Sequence, residues 1–175
     1  MNKDIKVPVE LSDPFFSVVM EDWKYTESVG ELMRCPFVYE ALYYAGSKRN
    51  FPWESPELFL PALFDEWNRV CSQLTAAHQR KRLDEDYLKM MKTGIAYFLE
   101  ALFWTNHLPC RLPIGEIADL SVKPANVEDR LGSVMNRPRL YHSVVQLGEL
   151  MDEQRKHFAS FTVKKRNEKN DPKGR

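Results

Sequence analysis

Apolar positions recur at threes and fours along most of the chain, and no segment alternates over strand length without also fitting a helix. The pattern predicts an all-α fold. Its strongest stretch runs from Asp84 to His107. Tyr87, Met91, Ile95, Phe98 and Leu102 form one stripe, and Leu88, Leu99 and Phe103 widen it. A face that broad predicts a central helix contacted by several neighbours. Asp84, Glu85 and Asp86 favour its N-terminus through the helix dipole, and Pro109 lies just past its end. Between Ser55 and Ala77, Leu60, Leu63, Trp67, Val70 and Leu74 mark a second helix. Pro61 removes a backbone donor, so regular helix is expected to begin near it after one irregular turn. A long C-terminal helix is expected from Pro138 to about Val163. Its seam is Leu140, Val144, Leu147, Met151, Phe158 and Phe161, with Gln154 in the one polar slot.

Proline punctuates the chain. Asp13-Pro14, Cys35-Pro36, Ser55-Pro56 and Arg137-Pro138 each precede an apolar-periodic stretch, where proline suits the first helical position. Asp13 and Ser55 are also good capping residues. The aromatic-rich stretch from Pro14 to Ala45 predicts two short helices, the second from Pro36 through Tyr43 and stopped by Gly46. Residues 110–124 read as a loop with one turn at Glu116 to Leu120. Asn126 opens a short helix that ends before Pro138. The expected organisation is one compact multi-helix bundle over residues 1–163, followed by a disordered basic tail over 164–175.

Composition agrees with a packed domain. Of 175 residues, 43% are hydrophobic and 12% aromatic, enough for a core without disulfide or metal staples. Basic and acidic residues balance at 25 each, which argues against a dedicated nucleic-acid binder. The balance hides an asymmetry, because residues 164–175 hold six basic residues against two acidic ones. The first residues lack the apolar stretch of a secretory signal. The most apolar window, Ile95 to Trp104, contains Glu100 and is too short to span a bilayer. Cys35, Cys71 and Cys110 are scattered and odd in number, as free thiols of a reducing compartment would be. The expected location is the cytoplasm, with no membrane association.

Candidate chemistry is sparse. His107 and Cys110 have the spacing of half a zinc site, but no second pair completes it. Cys110 is expected to be the one partly exposed thiol, at a helix C-terminus that raises its pKa. Cys35 precedes a helix start that would favour a thiolate, but no base is placed for either. Glu149 and Glu153, or Asp84 with Glu85 and Asp86, fall where solvated carboxylates are the norm. The sequence supplies no catalytic residue, no metal set and no cofactor motif such as a phosphate-cradling glycine loop.

The stretch Lys123 to Leu150 is the most distinctive. His142, Gln146, Glu149 and Glu153 share one side of the last helix, opposite its apolar seam, at ~100° per residue. Solvation alone accounts for such a face. The functional alternative is a docking surface for another protein built from Asn126, Arg130, Arg137, Tyr141, His142 and Gln146. Tyr and Arg suit interface anchors, since they carry large area and directional donors. The basic tail offers a second alternative, weak and salt-sensitive contact with nucleic acid.

The same stretch carries a family likeness. Pro124, Asn126, Val127, Glu128, Arg130 and Leu131, then Arg137-Pro138, then Tyr141-His142-Ser143 with Gln146-Leu147 and Glu149-Leu150, form an ordered string. It resembles the YpoC-like proteins of Bacillus-type bacteria. Phe51-Pro52-Trp53-Glu54 and Phe103-Trp104 with Asn106 are compatible with that family. The resemblance implies a small cytoplasmic protein and supplies no catalytic residues.

Overall fold

The computed structural model describes residues 5–21, 23, 28–114 and 117–169. Seven α-helices and no strand occur among them: α1 (Ser17–Met20), α2 (Val29–Leu32), α3 (Val38–Tyr44), α4 (Pro56–Gln79), α5 (Glu85–Thr105), α6 (Val127–Asn136) and α7 (Tyr141–Lys169). Helices α4, α5 and α7 pack against one another, α6 lies along α7, and the N-terminal segment closes over α5. The fold is all-α, as the periodicity predicts.

Helix α5 is the axis of the molecule. Every residue from Gly94 to Thr105 is buried, so neighbours surround its second half. Asp84 caps it, the side chain accepting the Tyr87 N–H at 3.0 Å. Gly94 marks the tightest contact, since a Cβ there would stand 2.9 Å from the Trp67 ring of α4 and 3.4 Å from Leu147 of α7. Aromatic edges fill the α3 side: Tyr39 meets Trp104 and Phe59 edge-on, and Phe16 meets Phe37. Gln154, the polar break in the α7 seam, is buried and reaches the Val122 carbonyl at 3.4 Å.

Several local expectations are corrected. The N-terminal stretch holds three short helices, not two. Only Pro56 occupies a first helical position. Pro14, Pro36 and Pro138 follow the first residue of tight turns closed by Phe16 N–H to Asp13, Val38 N–H to Cys35 and Leu140 N–H to Arg137. Proline's fixed φ suits that second turn position equally well, so the helices begin two or three residues later. Asp13 accordingly bonds the Phe15 amide at 2.8 Å within its turn. Pro61 lies inside a continuous α4, exposed in the second turn, where it removes a single hydrogen bond. Helices α3, α4 and α5 end on left-handed residues Gly46, Lys81 and His107. In each case the following amide bonds back five residues, Ser47 to Leu42, Arg82 to Ala77 and Leu108 to Phe103. A short 3-10 turn at Ile117–Asp119 stands in the 110–124 loop, and Glu116 lies outside the described residues. Helix α7 continues through the basic segment to Lys169, past the expected end at Val163. The part of the expected disordered tail at 164–169 is therefore helical, and 170–175 lies outside the described residues.

Candidate functional site

Two carboxyl groups sit in the core between α3 and α5. Glu40 is 0% and Glu100 2% exposed. Glu100 and Trp104 are one turn apart on α5 and so face the same neighbour. That neighbour is the start of α3 with the turn Cys35 to Val38 that leads into it, whose third residue, Phe37, has φ 63° and ψ 7°. These are the angles of a type II turn, a place normally held by glycine or asparagine. The turn exposes both ends of the Pro36–Phe37 peptide, and the fold binds both. The Phe37 N–H donates to Glu100 Oε1 at 2.7 Å, and the Pro36 carbonyl accepts from Trp23 Nε1–H at 2.9 Å. Glu40 reaches the other way, its Oε1 accepting from Trp104 Nε1–H at 2.7 Å and the Cys110 N–H at 3.2 Å.

Burial pushes the Glu40 carboxyl up to about 7, against the pull of the Trp104 and Cys110 donors. Burial also pushes Glu100 well above the usual carboxylate range, and the Glu40 charge adds to it. Burial thus shifts both toward the neutral acid, Glu40 below about pH 7 and Glu100 over a wider range. The remaining Glu40 oxygen and the hydroxyls of Tyr39 and Tyr97 are buried without a hydrogen-bond partner. Both carboxyls are closed off from the surface. The role of the pair in this geometry is to tie the Phe37 turn and the Cys110 segment to α5.

Cys110 is fully buried beside this pair, which corrects its expected exposure. Burial raises its thiol well above the ordinary value, and the two carboxyls add to the shift. Cys35 and Cys71 are the half-buried thiols, and all three are free of disulfides. His107 is turned away from Cys110, its Nδ1 lying 2.9 Å from the Trp53 carbonyl oxygen.

The six residues expected to form a docking surface fall into two groups. Asn126 and Arg130 stand at the start of α6. Arg137 stands at its end, about 15 Å away for ten helical residues, with Tyr141, His142 and Gln146 following on α7. Arg130 is engaged within the fold. It pairs with Glu153 at 2.9 Å, lies 3.8 Å from Glu149 and donates to the Ala125 carbonyl at 3.2 Å. On the polar side of α7, Glu153 and more distantly Glu149 therefore face Arg130 of α6. Asn126 is exposed in a left-handed conformation and makes no side-chain cap.

The second group gathers at the α6–α7 corner. Leu140, Tyr141 and Val145 are 48, 52 and 41% exposed, three large apolar side chains within six residues. Arg137 and His142 flank them, both exposed. The corner is tied to the rest of the fold at two points. Ser143 Oγ donates to the Arg137 carbonyl at 2.7 Å, and Arg139 bonds the Leu83 carbonyl and pairs with Glu85. The Tyr141 ring stands edge-on to His78 at 5.2 Å, and His78 Nε2 lies 2.6 Å from the Tyr87 hydroxyl. Periodicity alone assigns Leu140 to the seam, and nothing local marks Val145 as part of a docking surface. The turn at Arg137 to Leu140 releases Leu140 from the seam.

The fold and this surface define a small helical-bundle domain with a sealed acid pair and an exposed apolar corner. A family model described as YpoC-like protein matches residues 57–166. The chain belongs to that family. It is 32% identical over 115 residues to the uncharacterized protein YpoC of Bacillus subtilis (strain 168), covering 64% of this chain and 70% of that relative. No solved structure gives a significant match. The match contains Glu100, Cys110 and the whole α6–α7 corner, whereas Glu40 and the Phe51 to Glu54 loop precede it. No described helix is long and apolar enough to cross a membrane.

Proposed function

We propose that this chain is a non-enzymatic interaction module that docks another protein on the α6–α7 corner. The observation that carries the reading is the cluster of Leu140, Tyr141 and Val145, left exposed beside the turn that the Ser143–Arg137 bond closes. A preorganised apolar patch flanked by polar residues loses little entropy on binding. The acid pair does not compete as a catalytic centre, since Glu40 and Glu100 are closed off from any substrate. Free thiols fit action in the cytoplasm.

Affinity purification of the wild type beside a variant with Arg137, Tyr141 and His142 changed to alanine tests the reading. At least one protein retained by the wild type is expected to be lost by the variant. Retention of every partner would remove the corner from consideration.

A second reading assigns nucleic-acid contact to the basic end of α7. It is supported by the helical course of residues 164–169, on which Lys164 and Arg166 are exposed. DNA binding at low salt that disappears on truncation after Val163 is its expected signature.

A further inference from the structure

We infer that the partner segment taken by the α6–α7 corner is acidic as well as apolar, a deepening that rests on the docking reading above. The second half of the surface comes from a distant part of the sequence. His78 lies in the last turn of α4, and its ring meets Tyr141, while Arg139 bonds the Leu83 carbonyl. These contacts bring the α4–α5 turn, Arg80-Lys81-Arg82, to the same end of the bundle as Arg137 and the apolar trio.

The charges there are unequal in their freedom. Among the described residues, Arg80, Lys81, Arg82 and Arg137 are exposed and have no side-chain partner. Of the nearby acids, Asp84 caps α5 and Glu85 pairs with Arg139, which leaves Asp86 and Glu149, the latter one turn beyond Val145 and 3.8 Å from Arg130. Three of the cations complement the carbonyl end of α4, which accounts for their position but leaves their outer N–H groups in water. Arg137, the C-cap of α6, stands in the same relation to the carbonyl end of that helix. The result is an apolar centre at an end of the bundle that also carries four available cations against two exposed acids, Asp86 and Glu149. A partner presenting carboxylates around an apolar side chain would match both parts, and steering by the cations would raise its association rate. Nucleic acid fits less well, because Leu140 and Val145 are aliphatic and only Tyr141 offers a ring on which a base could stack.

The test is fluorescence anisotropy on the full chain with a labelled amphipathic peptide of leucine and glutamate. A leucine–lysine peptide and an oligothymidylate serve as the comparison probes. The leucine–glutamate peptide is expected to bind the tightest, with affinity falling by about tenfold or more between low salt and about 0.3 M. An R80E/R82E variant is expected to weaken it by about tenfold. Equal binding of the acidic and basic peptides, tighter binding of the oligothymidylate, or indifference to R80E/R82E would overturn the inference. A Y141S/V145S variant separates this from the docking reading. If it loses binding while R80E/R82E does not, the corner docks partners without selecting acids. If it binds every probe as the wild type does, the docking reading itself fails. All of these positions are exposed, so circular dichroism is expected to show the folded chain in each variant.

Discussion

The Phe37 amide donates to the Glu100 carboxyl at 2.7 Å, joining a strained turn to the buried second half of the central helix across 63 residues of sequence. The bond explains how a bulky aromatic residue occupies a left-handed position. Reversing the Pro36–Phe37 peptide aims its N–H into the core, where only a buried acceptor makes that orientation stable. Glu100→Leu is expected to lower unfolding stability by about 1–3 kcal/mol relative to Glu100→Gln, which keeps an acceptor oxygen. Urea denaturation at mildly acidic pH, where the native carboxyl is neutral, makes the comparison.

The partner acid predicts a pH dependence. Folding raises the Glu40 carboxyl from the usual range near 4.5 to about 7, so the folded chain binds a proton that the unfolded chain has lost. Its contribution is complete below about pH 4.5 and is lost as pH rises through about 7, a change of about 3 kcal/mol. Glu40→Gln keeps an acceptor for Trp104 and Cys110 and removes the titration. The variant is expected to gain stability on the wild type between pH 5 and pH 8, measured by urea midpoint. A constant difference between the two across that range would contradict the assignment.

Gly94 predicts a packing limit. Gly94→Ala would place a methyl 2.9 Å from the Trp67 ring where α4, α5 and α7 meet. Because a ring in a packed core has little room to retreat, a loss of about 1–3 kcal/mol is expected, read as a lowered thermal midpoint. An unchanged midpoint would show that the interface yields.

The thiols predict a labelling order. Cys110 is fully buried with its pKa raised, whereas Cys35 and Cys71 are half-buried. A thiol-reactive dye applied to native protein and read by peptide mapping is expected to spare Cys110 until denaturant is added. Native-state labelling of Cys110 at the rate of the other two would contradict the burial.

Much of this architecture is legible in the sequence. The Tyr87 to Phe103 stripe foretells an encircled helix, and Gln154, the polar slot in the α7 seam, faces inward. What local pattern misses depends on partners distant in the chain. A glutamate in the apolar window at Glu100 is visible, but its meaning needs Phe37. The turn role of Pro36 is hidden because proline serves helix starts and turns equally. In the docking surface, Arg130 reads from sequence as an available anchor, whereas it pairs with Glu153 once α6 lies on α7. Leu140 reads as seam and is exposed. The basic turn beside the corner comes from residues 80–82, which no window around Lys123 to Leu150 contains.

The docking claim is tested most directly by placing a photo-crosslinking phenylalanine analogue at position 141 in living cells and comparing it with the same analogue at Leu58, an exposed apolar site on α4. The account predicts a discrete protein adduct from position 141 that is absent from position 58. No adduct at 141, or the same adducts from both positions, would contradict it.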